Sequence, residues 1–238
     1  MRAVRSVAAF AWGLVMLVFA VPFGILTLAL DRRQRMHDWV SSRGAGSILA
    51  IAGIRIEARG VERFAAAGRC IVVANHRSAI DTLVLLDVLQ RVAPVRFIAK
   101  RSLFRVPILG WGMRRFGHMP VDGRSIVGSL PGLRMAATQG GASTVFFPEG
   151  TRSRDGGMLP FKRAAFTIAA RLGVPVLPVS IAGSGDAVPC NRIIANSPAV
   201  VTVAVHEPIS TGDLDSTRVA EEALRRIENG LRSARDAT

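Results

Sequence analysis

The stretch from Cys70 to Leu89, which reads CIVVANHRSAIDTLVLLDVL, decides the fold of this chain. Its first five residues are a short apolar run of the kind that forms a buried strand. Its last eight residues have the length and the apolar spacing of a helix. His76 therefore lies at the carboxyl end of a strand, which is where open α/β sheets bind their ligands.

The turn between this strand and this helix has the composition of an acid–base site. Asp81 follows His76 by five residues, about one and a half helical turns. A carboxylate at that spacing can hydrogen-bond one imidazole nitrogen, fix the tautomer and leave the other nitrogen free as a base. Taken alone, the same residues fit a helix cap beside a surface histidine, so the function depends on the rest of the chain.

A second motif, FFPEGTRS at 146–153, follows His76 by seventy residues. A His-x4-Asp pair, followed at this separation by Phe-Pro-Glu-Gly-Thr-Arg, resembles the glycerolipid acyltransferases, the 1-acylglycerol-3-phosphate O-acyltransferase family. The resemblance covers roughly residues 71–181. It implies transfer of an acyl group from an acyl thioester, either acyl-CoA or acyl-carrier protein, to the free hydroxyl of a lysophospholipid. The first choice of acceptor is 1-acyl-sn-glycerol-3-phosphate, which gives phosphatidic acid.

The resemblance also assigns roles to residues of this chain. His76 would be the general base and Asp81 the group that orients it. Backbone N–H groups near the helix start, with or without a basic side chain, would stabilise the oxyanion. The residues expected to bind the substrate lie in the later motifs: Arg124, Glu149, Gly150, Thr151 and Arg152. The reaction needs no metal and no organic cofactor beyond the acyl donor.

The chemistry of the FFPEGTRS residues agrees with that role. Gly150 allows backbone to approach a ligand, Thr151 offers a hydroxyl, and Arg152 is a fork-shaped donor suited to phosphate. Glu149 would orient Arg152 or accept hydrogen bonds from hydroxyls of the acceptor.

One segment departs from the family's pattern. The family has Gly-x-Ile-x-Val-Asp-Arg before the second motif, and its arginine is held to bind the acceptor phosphate. This chain has Gly123 between Asp122 and Arg124, so the arginine is displaced by one position. Either the glycine lets Arg124 reach the same phosphate, or the acceptor lacks a phosphate there, as a lyso-ornithine lipid does.

Three alternatives stay open at this point. Ser78 could act as a covalent nucleophile in place of direct attack by the acceptor. The chain could be a lipid-binding member of the family without turnover. It could also be a thioester hydrolase that uses the same pair of residues on water.

The composition favours a membrane and phosphate-bearing substrates over nucleic acid. The 238-residue chain carries a net charge of +14, and half of its residues are apolar. Basic residues interleaved with aromatics, or a reading helix, would be expected of a nucleic-acid module, and neither is found. Residues 88–121 contain no acid and mix arginines with large apolar side chains, as suits a surface against anionic lipid. Cys70 and Cys190 lie far apart without a CxxC pattern, so reduced thiols are expected.

The first part of the chain predicts a membrane anchor. Val7 to Leu30 is a run of 24 residues without a charge. As a helix it is roughly 36 Å long, against a hydrocarbon core of about 30 Å. Arginines flank both ends, so a spanning helix and a re-entrant anchor both remain open. An amphipathic helix is expected to follow at residues 37–53.

We therefore expect an anchoring segment at 1–53 and an acyltransferase domain at 54–238, with its motif-bearing core at 71–181. The protein would lie at the membrane with the catalytic domain on the cytoplasmic side. Strands and helices alternate through the domain, which predicts an α/β fold with a mixed, largely parallel sheet and helices on both faces. The further predicted strands are 54–59, 95–100, 143–147, 174–181 and 200–205. The further predicted helices are 130–139, 159–172 and 217–234.

Overall fold

A computed structural model describes residues 2–28, 35–121, 141–152, 157–190, 192, 194–196, 198–212 and 215–236. Of residues 17 and 20–28 it describes the backbone alone. The predicted helix at 130–139 lies outside the described residues. The strands are β1 (Ile54–Arg59), β2 (Ile71–Ala74), β3 (Val95–Lys100), β4 (Met119–Val121), β5 (Ser143–Phe146), β6 (Val176–Ala182) and β7 (Ala199–Val205).

The helices surround these strands in the chain. They are α1 (Arg2–Leu28), α2 (Arg35–Ile51), α3 (Val61–Ala67), α4 (Asp81–Leu89), α5 (Leu109–Arg115), α6 (Ala164–Leu172), α7 (Ser184–Ala187) and α8 (Ser216–Asp236), with a 3₁₀ helix at Arg101–Arg105.

The strands of the described part of the chain form one sheet in the order β1-β7-β6-β2-β5-β3-β4. Neighbouring strands are parallel except for the pair β6 and β7, which is antiparallel. The prediction of a mixed, largely parallel sheet is therefore confirmed. The strand β2 pairs with β5 on one side and with β6 on the other, so the turn that carries His76 stands near the middle of the sheet.

Helices cover both faces of the sheet. Successive side chains of β2 point to opposite faces, so their neighbours show which helices lie on each face. Val72 and Ala74 belong to a buried apolar cluster with residues of α2, α3 and α4. Ile71 and Val73 belong to a second cluster with residues of α6 and α8. This confirms the predicted helices on both faces.

The start of α6 differs from the prediction. A helix was expected from Leu159, whereas α6 begins at Ala164. Residues 159–162 are held instead against the turn after β5. The backbone N–H of Leu159 donates to the Glu149 carboxylate at 3.0 Å, and that of Lys162 donates to the Pro148 carbonyl at 2.8 Å. These bonds hold residues 159–162 along that turn, and the helical path begins only after them. The short helices α3, α5 and α7, the 3₁₀ helix and strand β4 were not predicted.

The two predicted N-terminal helices are present. Helix α1 packs on α2, and α2 packs on α4. The outer surface of α1 is apolar, with Phe10 and Phe19 exposed by 60% and 66%. No helix within the described ranges is both long enough and apolar enough to cross a membrane.

A buried ion pair joins α2 to the sheet. Arg96 Nη1 of β3 lies 2.8 Å from Asp38 Oδ1 of α2, and the two residues are only 8% and 6% exposed. Gln90 donates to the same carboxylate oxygen at 3.0 Å. Beside the pair, the His37 ring stacks on Phe116, and burial, followed by the charge of Arg96, lowers the pKa of His37 to about 3. These contacts set the position of α2 against β3, the strand next to the edge strand β4.

Removing the carboxylate of Asp38 should therefore destabilise the protein. In Asp38→Ala the Arg96 guanidinium stays buried and loses its principal counter-ion. We expect the free energy of unfolding to fall by about 3–5 kcal/mol, as measured by urea denaturation. The control is Glu57→Ala, which breaks a 2.8 Å pair with Arg55 whose side chains are 72% and 40% exposed. Exposed pairs contribute about 0–1 kcal/mol. Equal losses in the two variants would contradict a fixing role for the buried pair.

Candidate active site

The turn after β2 is tied to the neighbouring strand β6. The Asn75 amide nitrogen donates to the Ile181 carbonyl at 2.9 Å, and the Ile181 N–H donates to the Asn75 amide oxygen at 2.8 Å. Asn75 is completely buried, so water does not compete for these two bonds. The pair fixes the position of His76, the next residue, relative to the sheet.

One oxygen of Asp81, the first residue of α4, organises this turn. Its Oδ2 lies 2.9 Å from His76 Nδ1 and accepts the backbone N–H groups of Arg77 and Ser78, each at 2.8 Å. Because this oxygen accepts both backbone N–H groups, its contact with the imidazole is one in which Nδ1–H donates. The Nε2 atom is then left as the unprotonated nitrogen. The sequence-predicted pair is thus brought together in the geometry of a base and its orienting group.

The neighbouring groups hold the imidazole of His76 without burying it. The ring stacks on Phe147, with centroids 4.1 Å apart, and the side chain remains 20% exposed. Backbone N–H groups near the helix start were expected to stabilise an oxyanion, and two N–H groups in this turn, those of Arg77 and Ser78, already donate to Asp81. These two groups are therefore not available to an oxyanion.

Glu149 connects the turn after β5 to the same place. Its Oε1 accepts the backbone N–H of His76 at 2.7 Å, and its Oε2 accepts that of Leu159 at 3.0 Å. Burial raises the pKa of Glu149, while the two backbone N–H groups and the charges of His76 and Arg77 oppose the rise. The carboxylate thus holds three segments together: the turn after β2, the turn after β5 and the chain leading to α6.

The rest of the FFPEGTRS motif lies beside Glu149. Gly150 has a φ of +72°, and a Cβ there would lie 2.4 Å from Lys162 Nζ, so this ammonium group packs directly over the glycine. Thr151 is exposed. Arg152 Nη1 donates to the Cys190 carbonyl at 3.4 Å. Arg124 lies outside the described residues.

Two basic residues at the two motif turns were not singled out by sequence reasoning, and the candidate nucleophile Ser78 makes a structural hydrogen bond instead. Lys162 lies over Gly150, and Arg77 follows the base directly. A single basic residue leaves no periodic pattern in the sequence, so only the folded structure identifies Lys162 and Arg77 as part of the site. Ser78 is completely buried and its hydroxyl donates to the Val188 carbonyl at 2.7 Å, which argues against its use as a nucleophile.

Comparison with known proteins agrees with this geometry. Residues 55–182 match the family model described as Acyltransferase. The chain is 34% identical over 223 residues to a chloroplastic 1-acyl-sn-glycerol-3-phosphate acyltransferase of Brassica napus, covering 92% of this chain and 62% of the relative. It is 26% identical over 204 residues to the 1-acyl-sn-glycerol-3-phosphate acyltransferase of Salmonella typhimurium, covering 84% of this chain and 81% of the relative.

A solved structure is similar over nearly the whole chain. It is the crystal structure of a 1-acyl-sn-glycerophosphate acyltransferase from Thermotoga maritima, with a TM-score of 0.80 and 26% identity. The match covers 99% of this chain and 98% of the solved one. Against the plant relatives the chain is shorter, spanning 62% and 60% of the length of the Brassica napus and Arabidopsis thaliana proteins.

Glu149→Ala should destabilise the folded protein, because it leaves two backbone N–H groups without their acceptor. An unsatisfied buried donor costs about 1–3 kcal/mol, and the loss should be visible in the free energy of unfolding. The matched control is Glu221→Ala, which removes an exposed carboxylate from α8. A loss in Glu149→Ala no larger than in this control would mean that the carboxylate does not hold the three segments together.

Proposed function

The chain belongs to the Acyltransferase family, and on that basis we propose that it transfers a fatty acyl group from an acyl thioester to the free hydroxyl of 1-acyl-sn-glycerol-3-phosphate. The product is phosphatidic acid, and the donor is acyl-CoA or acyl-carrier protein. The names of the relatives in Brassica napus and Salmonella typhimurium support the acceptor. The observation that carries the proposal is the contact between His76 Nδ1 and an Asp81 oxygen that also holds two backbone N–H groups.

The proposed reaction is a direct transfer. His76 Nε2 accepts the proton of the acceptor hydroxyl while the oxygen forms a bond to the thioester carbonyl carbon. The carbon–sulfur bond then breaks, and the proton passes from Nε2 to the departing sulfur. The products are an ester and a free thiol, and the base is regenerated. Asp81 stabilises the imidazolium that exists between the two proton transfers and keeps the ring in the correct tautomer.

Arg124, Gly150, Thr151 and Arg152 remain the proposed substrate-binding residues, with Glu149 beside them. The hydrogen bonds of Glu149 to backbone support a positioning role, since they place the peptide of His76. The bond of Arg152 to a carbonyl uses one guanidinium nitrogen and leaves other donors for an anionic headgroup.

We also propose that the protein attaches to a membrane. Two surfaces support this. The first is the exposed apolar side of α1. The second is the segment 101–115, in which exposed apolar side chains alternate with exposed arginines: Leu103, Val106, Ile108, Trp111, Arg101, Arg105, Arg114 and Arg115. Helix α1 contacts α5, so the two surfaces adjoin.

Apolar side chains and basic groups on adjoining surfaces suit a membrane with anionic headgroups. In this proposal residues 1–53 form the attaching segment, residues 54–238 form the catalytic domain, and the domain faces the cytoplasm.

Replacing the base should abolish transfer without unfolding the protein. We expect His76→Ala to lower the rate of acyl transfer to 1-acyl-sn-glycerol-3-phosphate by about 10²–10⁴-fold, because general-base catalysis is lost. The measurement is the conversion of labelled acyl-CoA and, separately, of labelled acyl-carrier protein. The control is His206→Gln: the His206 ring lies on the side of β6 that faces α8, against Gly230 and 3.1 Å from the Ser180 hydroxyl, and it makes no hydrogen bond to His76 or Asp81 in the described part of the chain. This variant should stay within a few-fold of the wild-type rate.

Two results would contradict the proposed reaction. One is wild-type transfer by His76→Ala. The other is release of free fatty acid by the wild type at the same rate with and without an acceptor, which would indicate a hydrolase.

Charges placed on α1 should weaken membrane binding. In the double variant Phe10→Glu with Phe19→Glu, two exposed rings are lost. Burying one such side chain contributes about 1.5–3 kcal/mol, so partitioning onto vesicles should fall by roughly tenfold or more. The measurement is flotation with vesicles that contain anionic lipid. Val200→Glu, at an exposed apolar position of β7, is the control and should float like the wild type. Equal flotation of all three proteins would remove α1 from the attaching surface.

A further inference from the structure

Arg77 carries a guanidinium group that the described part of the chain leaves without a partner. Its Nε atom is buried and has no hydrogen-bond partner. None of the ion pairs among the described residues includes Arg77. A guanidinium offers five N–H donors in a fixed planar arrangement, and leaving a buried donor unsatisfied is unfavourable. A side chain held in this state beside the catalytic base is suited to a ligand that brings the missing acceptors.

Arg77 lies where the turn after β2 meets the segment after β6. Its side chain extends from the turn after β2 towards the segment after β6, where a Cβ on Gly185 would lie 3.4 Å from Arg77 Cβ. The last turn of α8 brings a second guanidinium, Arg235, into its electrostatic range. The pKa of Arg77 is lowered, first by burial and then by Arg235, and the carboxylates of Glu149, Asp186 and Asp81 oppose this without forming an ion pair. Three carboxylates and one guanidinium therefore act on Arg77 from a distance, but in the described part of the chain none of these carboxylates forms an ion pair with it, so its guanidinium keeps donors without a protein acceptor.

We propose that Arg77 binds the phosphate monoester of the acceptor and so determines which lysolipid is used. The proposal rests on the proposed function. In 1-acyl-sn-glycerol-3-phosphate the phosphorus is only a few bonds from the attacking hydroxyl. When that hydroxyl is within hydrogen-bond reach of His76 Nε2, the phosphate of the same acceptor molecule is close to the next residue, Arg77. The distance is then within the length of an arginine side chain.

The phosphates of the donor do not fit this position. In both acyl-CoA and acyl-carrier protein, the whole pantetheine arm separates the reacting sulfur from the nearest phosphate. Arg77 is adjacent to the base in the chain and therefore lies close to the reacting carbonyl. From there its side chain is too far from the nearest donor phosphate to bind it. An arginine is also the side chain that matches a phosphate monoester best, because its fork can bind two oxygens at once.

The position of Arg77 couples headgroup binding to the base. Its backbone N–H donates to Asp81 Oδ2, the same oxygen that contacts His76. A phosphate held by the side chain would thus be fixed relative to the imidazole through one residue. A residue that binds the phosphate affects only acceptors that carry a phosphate. A residue that stabilises the oxyanion would affect transfer to every acceptor equally.

The test compares Arg77→Gln with Arg69→Gln in the full-length protein. Arg69 is a partly buried arginine at the opposite end of β2, just before the strand begins. Two acceptors are used: 1-acyl-sn-glycerol-3-phosphate and the phosphate-free monoacylglycerol. We expect Arg77→Gln to raise KM for the phosphate-bearing acceptor by roughly tenfold to a hundredfold, with residual transfer to monoacylglycerol unchanged. Arg77→Lys keeps the charge but not the planar pair of donors, so its KM for the phosphate-bearing acceptor should lie between those of the wild type and Arg77→Gln. Arg69→Gln should match the wild type.

A binding measurement without turnover separates this inference from the proposed function. Calorimetry with sn-glycerol 3-phosphate should show binding to the wild type and to Arg69→Gln, and binding at least tenfold weaker to Arg77→Gln. If the wild type binds this probe through Arg77 but transfers no acyl group, the proposed function fails and the phosphate site stands. Equal binding by all three proteins, no binding by the wild type, or an equal fall in kcat on both acceptors at unchanged KM would each overturn the inference.

Discussion

The buried oxygen Oδ2 of Asp81 is the acceptor on which the site depends. A buried carboxylate is unfavourable unless donors replace the water it loses; here two backbone N–H groups and an imidazole do so at Oδ2, whereas Oδ1 is buried without a hydrogen-bond partner among the described residues. Asp81 also opens α4, where the helix dipole favours a negative charge. The same three contacts fix the path of residues 76–78, the tautomer of His76 and the beginning of the helix. Local structure and acid–base chemistry are therefore set by one group.

The parallel sheet explains why distant motifs meet at this oxygen. The carboxyl ends of β2 and of its neighbours β5 and β6 lie at the same edge. From β5 comes Glu149, which accepts the N–H of His76, and from β6 comes Ile181, which exchanges two hydrogen bonds with Asn75. The base is thus held from both sides by residues far along the chain. Glu149 is 73 residues from His76, and Ile181 is 106 residues from Asn75.

The sequence predicted the parts of this arrangement that have a local pattern. The strand, turn and helix at 70–89 and the two N-terminal helices follow from apolar spacing, and the pairing of His76 with Asp81 follows from a separation of five residues. The late start of α6 at Ala164, the ion pair of Asp38 with Arg96 and the open guanidinium of Arg77 depend on contacts between segments far apart in the chain, or on contacts that are not made. Such features leave no periodicity to detect. The roles of Arg124 and of the helix predicted at 130–139 stay predictions.

The tautomer of His76 is the most direct measure of the proposed mechanism. The chain has four histidines, so ¹⁵N-histidine labelling of the full-length protein gives a spectrum that single substitutions can assign. His118 provides an internal reference, because the Phe97 N–H donates to its Nδ1 at 3.0 Å and burial, followed by the charge of Arg96, lowers its pKa to about 4. Its neutral ring must carry the proton on Nε2. At neutral pH the account predicts the opposite for His76, a proton on Nδ1 and an unprotonated Nε2. A spectrum in which both rings carry the proton on Nε2 would contradict the assignment of His76 as the base oriented by Asp81.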